Sequence, residues 1–204
     1  RKKTRGLTPL AEAIMSYKVG VFIGSLAKES INRKLANALM RLAPESLELK
    51  EIPIKDLPLY SYDYDDDYPA VAKEFKEAIS RVDALLFVTP EYNRSIPGSL
   101  KNAIDWGSRP WGQNSFNLKP SAVIGTSPGA IGTAVAQQHL RSILSFVNSP
   151  ELAQPEAYIQ FTPGLINGKG EVTVESTAEF LRNWLRAFEV FIEKVSVAEG
   201  RAKA

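Results

Sequence analysis

Ala84-Leu85-Leu86-Phe87-Val88-Thr89-Pro90-Glu91-Tyr92-Asn93-Arg94-Ser95-Ile96-Pro97-Gly98 is the stretch on which the fold is decided. Its first six residues form a short apolar run closed by a proline, the pattern of a strand buried on both faces of a parallel sheet. Beyond the second proline, Leu100, Ala103 and Ile104 recur at helical spacing and predict a helix from about Gly98 to Gly107. Two prolines within eight residues make the intervening loop stiff.

The same alternation continues in both directions. Upstream, Pro69 opens a helix through Val71, Phe75, Ala78 and Ile79. Before it come an acidic loop (Asp63, Asp65, Asp66, Asp67), read as solvated, and an alternating strand with Leu47, Leu49 and Ile52. Ser30 caps a helix carrying Leu35, Ala38, Leu39 and Leu42, and Tyr17 to Gly24 is a first strand. Downstream lie a strand at Ala122 to Thr126, a helix from about Ile131 to Val147, a weaker strand at Tyr158 to Phe161, and a helix from Ala178 to Val197. Five strands alternating with helices mean right-handed βαβ crossovers, hence a doubly wound α/β sheet with helices on both faces and strand order 2-1-3-4-5.

Composition bounds the chemistry. With 204 residues, 44% hydrophobic and 24% charged, the chain can bury a sizeable core without metal or disulfide. It has no Cys and one His, which removes thiolate catalysis, Cys-ligated metals and most Ser-His relays. A bound cofactor is the natural source of reactivity. Arg1, Lys2, Lys3 and Arg5 against Glu12 contribute +3, so the remainder of a chain of net charge +2 carries −1, and nucleic-acid binding is not indicated. Residues 1 to 14 read as a leader or appended remnant, loosely ordered, before a start at Met15, and residues 15 to 204 as a single domain. With no targeting signal and no membrane-spanning run, the expected location is the cytoplasm.

In such a sheet, ligands bind beyond the carboxyl ends of the strands near the switch in strand order, so three loops matter. After strand one, Gly24-Ser25-Leu26-Ala27-Lys28-Glu29-Ser30-Ile31-Asn32-Arg33 places hydroxyls and an amide beside helix N-terminal N–H groups, which suits a phosphate. It is neither G-x-G-x-x-G nor a Walker loop, and taken alone it is equally an ordinary Ser-capped helix. After strand three, Pro90 to Pro97 presents stiff backbone to the polar edge of a flat ring, with Tyr92 placed to cover a face, or else is a Pro-bounded surface turn. After strand four, Ser127-Pro128-Gly129-Ala130-Ile131-Gly132 permits close approach to backbone amides, or else is an ordinary strand-to-helix turn, many of which have this composition.

Gly24-Ser25-Leu26 with Ser30-x-Asn32, Thr89-Pro90-Glu91-Tyr92-Asn93, and Pro97-Gly98-x-Leu100-Lys101-Asn102-Ala103-Ile104-Asp105-Trp106 together resemble the NADPH-dependent FMN reductase family, in particular its quinone- and chromate-reducing branch. The resemblance spans about Val19 to Phe191. It implies a flavodoxin-like fold, non-covalent FMN, NADPH or NADH as co-substrate, and a homo-oligomer, dimer or tetramer, with flavin near a subunit interface. By position, Ser25, Ala27, Ser30, Ile31 and Asn32 would surround the phosphate, Pro90, Glu91, Tyr92 and Asn93 the isoalloxazine, and Ser127 and Gly129 its other side. The family commonly has Arg directly after Gly-Ser-Leu; here Ala27 stands there, which shifts phosphate binding toward Lys28, Arg33 and the helix terminus.

The implied activity is hydride transfer from NAD(P)H to FMN, then two electrons to a quinone-type acceptor, with chromate, azo compounds or free flavin as further acceptors. No metal and no side-chain acid or base is expected. Two other readings stay open: a flavodoxin-type FMN carrier that does not oxidise NAD(P)H directly, and a flavin-free α/β module for another phosphorylated ligand. Arg109 reads as a substrate-binding residue for an anionic acceptor or as half of a structural ion pair. Arg94 reads as an ion-pair partner, His139 as a surface or interface residue, and Trp106, Trp111 and Phe116 as core or interface aromatics near the cleft.

Overall fold

Five runs of apolar residues pair side by side as parallel strands in the computed structural model, which describes residues 16–201. The expectations for residues 1 to 14 and for Met15 lie outside the described residues. The strands are β1 (Tyr17–Ile23), β2 (Leu47–Glu51), β3 (Ala84–Val88), β4 (Ser121–Ser127) and β5 (Tyr158–Gln160), in the order β2-β1-β3-β4-β5. The helices are α1 (Ile31–Leu42), α2 (Ala70–Ser80), α3 (Gly98–Ser108), α4 (Ala134–Phe146) and α5 (Glu175–Ala198).

Alternate residues of the central strands feed two cores. Val19, Val21, Ile23, Leu86 and Val88 meet α1 and α5 through Leu35, Leu39, Trp184 and Phe188. Phe22, Leu85 and Phe87 meet α2, α3 and α4 through Phe75, Ile104, Trp106 and Leu140, with Phe116 filling the gap. Phe22 and Phe87 stack at 4.9 Å between ring centroids on adjacent strands, in the register Phe22 opposite Phe87. Two-sided burial explains the apolar runs 19–23 of β1, Ala84–Val88 of β3 and 122–125 of β4.

The differences from expectation are local. Helix α4 starts at Ala134 rather than Ile131, because Gly132 has φ 60° and Ser127 Oγ donates to Gly132 O at 2.6 Å, holding 127–133 as turns. The acidic passage is more than a solvated loop: it carries a 3-10 turn at Tyr62–Tyr64, and the Tyr60 hydroxyl donates to Asp65 at 2.9 Å. Tyr60, Tyr64 and Tyr68 surround buried Trp106 at 5.2, 5.4 and 5.0 Å. That loop thereby covers α3.

Lys76 on α2 closes the other end of α3. Its Nζ donates to the carbonyls of Gly107 (3.1 Å), Arg109 (2.5 Å) and Gln113 (2.7 Å), where a helix C-terminus has unpaired carbonyls and a negative dipole end. Burial pushes this ammonium down to about 8. Lys76→Met keeps the stem and strips the donors, so it is expected to cost about 2 kcal/mol in urea unfolding. An unchanged midpoint would show that the carbonyls are satisfied without it.

Candidate functional site

The carboxyl ends of β1, β3 and β4 stop at one edge of the sheet, and specific bonds draw their turns together. Gly24 packs so closely under the β3 turn that a Cβ there would lie 3.2 Å from Pro90 Cδ and 3.3 Å from Leu100 Cδ2. Ser99, in the first turn of α3, donates its hydroxyl to Gly24 O at 2.9 Å. The Asn32 amide bridges β1's turn to the end of β4: Nδ2 donates to Thr126 O and Thr126 N donates to Oδ1, both at 3.0 Å and both buried. Glu91 reaches α4, its Oε2 accepting from Val135 N (3.1 Å) and Ala136 N (3.2 Å). The turns beginning at Gly24, Pro90 and Ser127 therefore lie side by side at this edge of the sheet.

Two features of this edge could form a crevice for a ligand. At α1, Ser30 is the N-cap and accepts from Arg33 N at 3.1 Å, while Ser25 is buried with its Oγ accepting from Ala27 N at 3.4 Å. The amides of Ile31 and Asn32 lie in the first helical turn, where no intrahelical acceptor exists and an anion is favoured. At β3 and β4, a cleft of about 480 Å³ is lined by Glu91, Asn93, Arg94, Ser127 and the 129–132 turn. Asn93 (φ 51°) and Arg94 (φ 65°) form a two-residue hairpin turn between Tyr92 and Ser95, whose backbones exchange bonds of 2.9 and 3.0 Å. Both central residues being left-handed is what a tight hairpin demands, and Asn tolerates it well.

Residues 17–163 match the model of the family described as NADPH-dependent FMN reductase. The chain belongs to that family. It is similar to a quinone reductase of Pseudomonas putida, 49% identical over 178 residues that make up 87% of this chain and 95% of that one. A 2-hydroxy-1,4-benzoquinone reductase of a Burkholderia species is 47% identical, over 87% of this chain and 97% of that one. Among solved structures, the flavoenzyme NAD(P)H:(acceptor) oxidoreductase FerB of Paracoccus denitrificans superposes with a TM-score of 0.84 at 48% identity, covering 87% of this chain and 98% of that one.

For an FMN reductase the donor set fits its cofactor: a helix terminus with flanking hydroxyls suits a phosphomonoester, and a stiff-walled cleft of backbone amides suits a flat ring edge. Two groups have other engagements than the sequence suggests. Arg33 is paired in a fork with Glu51 at 2.8 and 2.9 Å, which leaves Lys28 as the exposed cation of that turn. Asn32 spends its Oδ1 and one Nδ2 bond on Thr126, so its side chain builds the site's frame.

Arg109 does not join this crevice. It stands at the C-cap of α3, roughly 16 Å along the helix from Gly98, lies 5.7 Å over the Trp111 ring, and lines a separate groove of about 710 Å³ with Lys101, Trp111 and Phe146. Arg94 is in range of Glu91 at 3.5 Å within the chain. His139 is on the exposed side of α4, its Nδ1 3.0 Å from Ser95 Oγ. Trp106 and Phe116 are fully buried, whereas Trp111 is 77% exposed. Reasoning from sequence missed Gly125, whose absent side chain makes room for Thr89 O and Thr133 Oγ1. It also missed the capping of α4 by Glu91, for which a separation of 44 residues leaves no local signal.

Proposed function

We propose that this chain is an NAD(P)H-dependent FMN oxidoreductase that takes a hydride from the nicotinamide and passes two electrons to a quinone-type acceptor. The observation that carries the reading is the convergence of the three turns, held by the Asn32–Thr126 and Glu91–α4 bonds, in a chain of this family. FMN, when bound, supplies the hydride acceptance and the electron release. Ser25, Ser30 and the backbone of Ala27, Ile31 and Asn32 would hold its phosphate. Pro90, Glu91, Tyr92 and Asn93 would border one side of the ring and Ser127 and Gly129 the other. The protein's work is positioning and exclusion of water; no side-chain acid or base is assigned. Chromate, azo compounds and free flavin are proposed as secondary acceptors, and the cytoplasm, where reduced nicotinamides are abundant, as the setting.

A homo-oligomer is part of the proposal. Phe146 and Trp111 are 75% and 77% exposed beside the α3–α4 groove, an apolar surface that a second copy would cover. Arg109 keeps a role with an anionic acceptor only across such an interface, because within one protomer it stands at the far end of α3.

Incubation with FMN and removal of excess is expected to leave yellow protein, and anaerobic NADPH is expected to bleach it within seconds, with a quinone restoring the colour. A yellow protein that NADPH does not bleach would be an electron carrier. A colourless one would be a module for some other phosphorylated ligand.

A further inference from the structure

Glu91 is an unusual helix cap. The N-cap residue of α4, Thr133, makes no side-chain capping bond, its hydroxyl instead accepting from Gln137 Nε2 at 3.0 Å. The cap comes from Glu91, 44 residues earlier, whose side chain is only 10% exposed and whose Oε2 takes the amides of Val135 and Ala136. The carboxylate thus sits on the positive end of a 13-residue helix that starts at the wall of the 480 Å³ cleft. Arg94, the cation facing it at 3.5 Å, is 71% exposed and so screened by solvent. The hairpin that Glu91 begins is fastened a second time, through Ser95 Oγ and His139 Nδ1, to the same helix.

We infer that Glu91 is a positioning residue with two effects: it locks the Tyr92–Ser95 hairpin onto α4, and its charge cancels the helix field at the cleft, holding the flavin's reduction potential low. This rests on the FMN reading above. Reduced FMN carries an additional negative charge at neutral pH. An uncancelled helix N-terminus would bind that form preferentially and make bound FMN a weaker reductant. A carboxylate held at that terminus opposes this, so electrons leave more readily to the acceptor.

Glu91→Gln separates charge from geometry, since one amide oxygen can accept both N–H bonds. In the FMN-loaded variant, dye-equilibrated anaerobic titration is expected to show reduced FMN favoured over oxidised FMN by about tenfold relative to wild type, a rise of about 30 mV for a two-electron couple. Glu91→Asp, which keeps the charge one methylene further from α4, is expected to fall between the two, and it carries the test if the Gln variant folds poorly. A purely structural role would lower Tm and FMN affinity in both variants and leave the potential in place, and that result overturns the inference while the site stands. Wild-type protein that takes up no FMN overturns the site assignment and this inference together.

Discussion

Gly125→Ala is expected to be the most damaging single-methyl addition in the molecule's site. A Cβ at this position of β4 would lie 2.1 Å from the backbone carbonyl oxygen of Thr89 and 2.1 Å from Thr133 Oγ1. Neither neighbour has freedom to retreat. The carbonyl belongs to the end of β3, where Thr89 N is bonded to Ile124 O at 3.0 Å, and Thr133 is fully buried at the start of α4. Overpacking against backbone at the upper end of the usual range costs about 3 kcal/mol or more, enough to lower Tm on the order of 10 °C in a chain of this size. FMN retention is expected to fall with it, because the methyl pushes apart the two turns that wall the cleft. A variant that melts with wild type would mean that the β3 and β4 turns do not approach as described.

Asn32→Ala is expected to cost about 2–4 kcal/mol, since it leaves a buried N–H and a buried carbonyl of Thr126 without partners. Asn32 and Thr126 are each only 1% exposed, so water does not replace the lost bonds. Asn32→Asp should be at least as harmful, because it turns an oxygen toward Thr126 O and adds a negative charge beside the proposed phosphate position. Ser30→Ala is the contrast, losing a cap worth about 1 kcal/mol. The telling measurement is urea unfolding of FMN-free protein. An Asn32 whose only task is to touch phosphate leaves apo stability at the wild-type value. An Asn32 that ties α1 to β4 lowers it before any ligand is added.

Both expectations depend on contacts between elements far apart in the chain, and they mark where reading the sequence stops. The parallel sheet was legible because two-sided burial demands unbroken apolar strands, and Ala84 to Val88 or Ala122 to Thr126 show that locally. The α1 cap was legible because Ser30 and Arg33 lie within one helical turn. Right-handed crossovers, the rule for nearly all βαβ units, put helices on both faces, and the order β2-β1-β3-β4-β5 is the one that five such strands suggest. The motifs at 24–32, 89–93 and 97–106 carry the resemblance to the family.

Tertiary structure alone decided what those motif residues do. Asn32 meets Thr126 across 94 residues and Glu91 meets α4 across 44, and nothing near either residue in sequence encodes the partner. Arg109 follows closely on a motif helix yet stands away from the crevice, because a helix carries its two ends apart as surely as it joins them in sequence. Residue type and spacing fix which local structure a segment adopts. Which buried polar atom must find which partner is settled only when the sheet closes, because satisfying such atoms is a condition on the whole packed molecule.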